Sequence, residues 1–178
     1  YKFAIHVDVQ PKGRTPFPNA ASAGKGPHDM VKRTSLEGAS CPVARSLDAI
    51  GDWWSLLIVR DAFDGLRRFG EFQKSLGVAK NILSDRLRTL AAHGILATVP
   101  ASDGSAYQEY VLTEKGQALF PVIVGLRQWG EDHYYGPAEA HSQLIDRKRG
   151  QPVKRLEIRA QDGRLLGPDD TLVQKVDS

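Results

Sequence analysis

From Cys41 onward, apolar residues recur at helical spacing, and that period predicts most of the architecture. Pro42 suits a first helical position, where its missing N–H costs nothing. Val43, Leu47 and Ile50 then share a face before Gly51. Asp52 can cap a second helix, with Trp54, Leu57, Ile58 and Ala62 on its inner stripe and Gly65 closing it. Phe69, Phe72 and Leu76 predict a third, short helix over 69–76 that Gly77 terminates. Leu83, Leu87 and Leu90 predict a fourth over 80–93, with Gly94 after it. Only Gly77-Val78-Ala79 separate these two, the tight connection of a helix-turn-helix.

The period then changes. Ile95–Val99 and Tyr107–Leu112 read as strands around Pro100–Ser105, whose Asp103-Gly104 marks a hairpin. A helix-turn-helix followed by a hairpin is a winged helix. Thr113 is placed to cap a long final helix, with Glu114 near its positive end. Leu119, Val122, Ile123, Leu126 and Trp129 form its apolar stripe, and Pro121 either bends that helix or places its start later. Three small helices cannot cover so wide a stripe. Dimerisation is its natural use, joined by Val43 and Leu47 of the first helix.

Outside this stretch the pattern weakens. Residues 1–29 hold Pro11, Pro16, Pro18 and Pro27, and their only period is the alternation within Tyr1–Val9. Met30, the only methionine, is read as the native start, with an appended leader before it; a genuine tail is the alternative. Residues 30–136 make the winged-helix and dimerisation domain. Residues 137–178 form a small β-rich extension, in which Leu144–Asp146, Val153–Arg159 and Arg164–Leu166 suggest two hairpins. The expected class is α+β, mostly α.

Composition narrows the chemistry. The 178 residues suit one small domain with appendages, and one cysteine excludes an intrachain disulfide framework or a cysteine-rich zinc site. No apolar run reaches the ~20 residues of a membrane span, and no secretory signal leads the chain, so a cytoplasmic, nucleoid-associated protein is expected. The formal charge of +3 is unevenly spread. Residues 66–93 carry Arg67, Arg68, Lys74, Lys80, Arg86 and Arg88 against Glu71 and Asp85, a net of +4. Residues 94–143 are net −4 and residues 144–164 net +4. A lone +4 segment is usually a solvated helix face; here it coincides with the helix-turn-helix. The five histidines have no metal-ligand spacing, no glycine-rich phosphate loop precedes a helix, and no base is nominated for Cys41. No catalytic residue, metal or cofactor is therefore expected.

Six motifs then appear in order. They are Cys41-Pro42-Val43-Ala44, Gly51-Asp52-Trp53-Trp54-Ser55-Leu56-Leu57-Ile58-Val59-Arg60-Asp61, Arg67-Arg68-Phe69, Leu83-Ser84-Asp85-Arg86-Leu87, Glu109-Tyr110-Val111-Leu112-Thr113-Glu114-Lys115-Gly116 and Gln128-Trp129-Gly130. In this spacing Cys41–Tyr135 resembles the HxlR family of bacterial winged-helix transcriptional regulators. The resemblance implies a homodimer on double-stranded operator DNA, usually a repressor and sometimes an activator. It also implies a response, in many members, to oxidants, quinones or other small molecules.

A recognition helix presents its first turns to base edges. On the fourth helix Lys80, Asn81, Ser84, Asp85 and Arg88 lie opposite the leucines. Asn81 can bond adenine bidentately, Lys80 can reach guanine or phosphate, and Asp85 can accept from cytosine. Arg88, Arg67, Arg68 and Lys74 suit phosphate contacts, which position without specifying, and Ser105 and Tyr107 of the wing can do the same. The plain alternative for each is a solvated surface residue. Three positions depart from the family's usual residues: Trp53 and Tyr107 stand where a basic residue is common, and Ala79 where a capping serine is.

Cys41 heads a helix, where the dipole favours thiolate and Arg45 lies one turn on, so it is a candidate redox sensor; a cysteine that merely packs is the alternative. Trp53, Trp54, Phe63, Phe120 and Trp129 can line an effector pocket at the dimer interface or simply form core. A second function class stays open: a winged-helix protein-interaction module using the acidic 94–143 surface.

Overall fold

The computed structural model describes residues 35–175, so the leader ending before Met30 and the alternating Tyr1–Val9 lie outside the described residues. Four helices come first: α1 (Pro42–Ile50), α2 (Trp53–Phe63), α3 (Phe69–Leu76) and α4 (Lys80–Ala92). Their boundaries follow from local chemistry. Asp52 caps α2 by accepting from the Ser55 N–H at 3.0 Å. The Glu71 carboxylate accepts from the N–H groups of Arg67 and Arg68 and so closes the start of α3. Gly77 ends α3 at φ 61°, a left-handed conformation that glycine adopts without the Cβ penalty. The helix-turn-helix is thus where the sequence places it.

Strands β1 (Leu96–Pro100) and β2 (Gln108–Leu112) pair antiparallel, with Leu96 opposite Leu112 and Thr98 opposite Tyr110. They form the wing. The Tyr110 N–H also donates to the Arg67 carbonyl at 2.8 Å, tying the wing to the entry of α3.

The core joins Ile50 of α1, Ile58 and Val59 of α2, Phe72 of α3, Val78 of the turn, the three leucines of α4, and Ile95 and Leu96. The inner stripe of α2 is rotated from expectation. Ser55, Ile58, Val59 and Asp61 are buried, whereas Trp54, Leu57 and Ala62 are only partly covered. The reason is that α2 contacts α1, α3, α4, β2 and the last helix, so more than one face is used.

The long final helix is in fact two. Thr113 caps α5 (Glu114–Gln117) by accepting from the Gly116 N–H, and α6 (Phe120–Tyr134) starts with Pro121 in its first turn. Proline cannot continue the ladder from α5, so it begins a new helix. On α6, Val124 is buried and Ile123, with Leu119 just before it, packs against the core. Those two stripe residues therefore serve the fold, while Val122, Leu126 and Trp129 stay exposed, as do Val43 and Leu47 on α1.

The extension reverses twice but builds no strands. Single bridges join Ile145 to Pro152 and Arg159 to Leu165, and Gly150 and Gly163 take the turns at positive φ. Pro152 removes a ladder donor beside the first turn, yet around each turn the chain pairs with itself, the Val153 N–H on the Leu144 carbonyl and the Leu166 N–H on the Ile158 carbonyl, each at 2.9 Å, while α6 holds the middle of the extension. Arg155 reaches Asp132 at 2.6 Å and the Gln128 carbonyl at 3.0 Å, while the Gln128 side chain accepts from the Leu156 N–H and donates to the Lys154 carbonyl. Among the described residues, no helix is long and apolar enough to cross a membrane.

Candidate nucleic-acid interface

The first turns of α4 carry the candidate base-reading side chains because its other face is fully committed. Leu83, Leu87 and Leu90 are entirely buried, which fixes the helix's rotation and leaves Lys80, Asn81, Asp85 and Arg88 exposed and Ser84 at the margin. Asp85 lies 3.7 Å from Arg88 and 3.6 Å from Arg86, so the outer row holds a loose ion-pair chain. Arg86 also lies 3.4 Å from Asp52, the cap of α2, and braces the two helices. Lys74 is exposed on α3. Ala79, the N-cap of α4, offers no side-chain acceptor.

The wing is held to α3 by charge. Arg68 lies 2.6 Å from Asp103 and 3.4 Å from Glu109, and Arg67 lies 3.8 Å from the second Glu109 oxygen. Glu109 is only 3% exposed. Burial alone would raise its pKa, but hydrogen bonds from the hydroxyl and N–H of Ser102, with Arg68, carry it below the ordinary value. Asp103 is held well below the usual carboxylate range, first by the Arg68 hydrogen bond and then by Ser105. Arg68 is thereby an internal clasp and not the unencumbered cation its sequence position suggests; Arg67 is looser. Ser105 sits in the wing turn with its N–H on Asp103, and Tyr107 is fully outward.

The structure therefore brings Lys80, Asn81, Ser84, Asp85 and Arg88 together on one helix face, with Arg67, Lys74 and Tyr107 on neighbouring elements. Three contributors escaped the sequence reading. The Glu109 clasp was signalled only by a carboxylate inside a strand-like stretch. Gly116 is required because a Cβ there would lie 2.2 Å from the Ile95 carbonyl oxygen. Ile82, between Asn81 and the buried Leu83, is 38% exposed.

Cys41 is a free, exposed thiol at the N-cap of α1. Arg45 donates to the Ala39 carbonyl. The five aromatics form separate groups: Trp53 with Trp54, Phe63 with Phe120, and Trp129 with His133 and Tyr134. None of them lines the apolar cleft of about 300 Å3 between α2, α6 and the extension, whose walls include Leu56, Leu57, Ile123 and Leu126.

Fold and surface together define a winged helix-turn-helix protein. The chain belongs to the HxlR-like helix-turn-helix family, whose model matches residues 49–137. It is 42% identical over 119 residues, 67% of each chain, to an uncharacterized HTH-type transcriptional regulator, Rv3095, of Mycobacterium tuberculosis (strain ATCC 25618 / H37Rv). Among solved structures it is similar to PA1607, a candidate transcription factor, with 62% identity, 80% of this chain and 100% of that one covered, and a TM-score of 0.76. It is also similar to PA1374 of Pseudomonas aeruginosa, another candidate transcription factor, at 40% identity, 76% and 92% coverage and a TM-score of 0.54. Its relatives are thus transcriptional regulators of helix-turn-helix fold.

Proposed function

We propose that this protein is a sequence-specific DNA-binding repressor that works as a homodimer with α4 of each protomer in a major groove. The observation that carries the reading is the division of α4. Its leucine face is wholly buried, and Lys80, Asn81 and Arg88 project from the opposite face at the spacing a recognition helix uses. In this reading Asn81 and Lys80 touch base edges, with Ser84 and Asp85 beside them. Arg88, Lys74, Arg67 and Tyr107 meet the backbone. The exposed apolar residues Val43, Leu47, Val122, Leu126 and Trp129 supply the subunit interface, and Cys41 is the redox-responsive thiol.

The protein-interaction alternative needs a free acidic surface. The structure supports it poorly, because Asp103 and Glu109 hold Arg68, Glu131 and Asp132 hold Arg155, and Glu139 accepts from the Gly136 N–H. The test is selection of bound duplexes from a random library, followed by gel shifts of the selected site in a salt series. Specific binding is expected, and Asn81→Ala should weaken it by roughly 1–3 kcal/mol while flattening preference at one base position. Failure to enrich any sequence at low salt overturns the reading.

A further inference from the structure

We infer that Ile82, walled by Trp53, reads the 5-methyl group of thymine in the major groove. The inference rests on the DNA-binding reading above and adds a base preference to it. Ile82 stands in the first turn of α4 between Asn81 and the buried Leu83, and it is not used by the core. Its side of the helix is turned towards the start of α2, the side on which Arg86 meets Asp52. There Trp53, Trp54, Asn81, Ile82, Asp85 and Arg86 border an open groove of about 410 Å3. Trp53 is 73% exposed and lies edge-on to Trp54, with ring centroids 5.5 Å apart.

The groove's charged groups answer one another: Asp52 with Arg86 and the Ser55 N–H, Asp85 with Arg86 and Arg88. Apart from the Arg86 Nε, which has no hydrogen-bond partner, what the groove offers is a small apolar surface at the reading end of a helix, next to Lys80 and Asn81. Only one apolar group projects from base edges into the major groove, the C5-methyl of thymine. An isoleucine and an indole edge give such a methyl apolar surface to pack against. The same two side chains are far too few for a protein interface, which takes roughly 20–30 residues a side.

The experiment uses the full chain and the site selected from the random library. Each thymine is replaced in turn by deoxyuridine, which lacks only the methyl. At one or more thymines per half-site the wild type should lose about fourfold in affinity, the worth of one buried methyl. Ile82→Ala should be insensitive to the same replacement, and Trp53→Ala should show a reduced effect. If Ile82→Ala does not bind, Ile82→Val, which keeps a smaller apolar contact, should bind and retain part of the sensitivity. Equal affinity for thymine and uracil sites at every position, or undiminished sensitivity in Ile82→Ala, overturns the inference and leaves the DNA-binding reading standing. Failure to select any duplex overturns both.

Discussion

At Gly116 a single hydrogen atom decides whether α5 can lie against the wing. The Thr113 hydroxyl caps this short helix, its N–H bonds the Ile95 carbonyl, and the Cα of Gly116 is drawn over that same carbonyl. Gly116→Ala should therefore destabilise the fold by about 1–3 kcal/mol, the range of an overpacked contact, as read by urea unfolding. An unchanged midpoint would mean that the backbone gives way freely. The opposite sign is expected at Ala79. A serine there can accept from the free N–H groups of the first turn of α4, and Ala79→Ser should add about 1 kcal/mol in the same assay. Residues of this kind divide by legibility. The caps Asp52 and Thr113 and the stop Gly77 could be read directly, because each acts on neighbours within a few positions. Glu109 and Gly116 could not, because what they touch lies 41 residues away at Arg68 or 21 away at Ile95.

At the scale of elements, the wing is an electrostatic attachment as much as a hydrophobic one. Glu71, Asp103 and Glu109 all titrate below their ordinary values, Glu71 chiefly through the N–H groups of Arg67 and Arg68. A carboxylate with a lowered folded pKa adds stability that is present above its unfolded value and lost as pH falls through the folded one. Stability should therefore decline as pH falls below about 5 and on through the folded values, and Arg68→Met should show a shallower decline, with the two curves converging at the acid end. Urea midpoints at a series of pH values check this, and parallel curves would remove Arg68 from the account. The helix-turn-helix and wing were legible as elements because each has a strong period and a glycine at its boundary. The split of α5 from α6 was half-legible: Pro121 announced a break, but not which side of it would pack. The extension was legible as two reversals, each closed by a single antiparallel bridge at the turns of Gly150 and Gly163; the sequence did not show that its middle is held by α6.

On the scale of the whole molecule, the alternating charge of the chain becomes an internal arrangement. The basic extension meets the acidic end of α6 through Arg155, while Lys154, Arg159 and Arg164 pair with acids of the extension itself. Among the described residues, exposed cations remain on the helix-turn-helix at Lys74, Lys80 and Arg88 and on the extension at Arg147, Lys148 and Arg149, a distribution that total charge concealed. The lone thiol belongs to this scale too, since its only thiol partner within a homodimer is its equivalent in the second protomer. Diamide should yield a reducible dimer on denaturing gels that Cys41→Ser does not form, together with at least a severalfold change in affinity for the selected site. Unaltered affinity after oxidation would remove sensing from the reading.

The clasp at Arg68 has a consequence for how the protein travels along a genome. A cation already neutralised by Asp103 and Glu109 displaces few condensed ions when it nears a phosphate, so it adds little to the sequence-independent grip that counterion release provides. In the proposed binding mode Lys74, Arg67 and Arg88 supply the backbone contacts of the helix-turn-helix in its place. In that mode a weaker sequence-independent grip would shorten the stay at wrong sites and leave occupancy at the right one to the base contacts of α4.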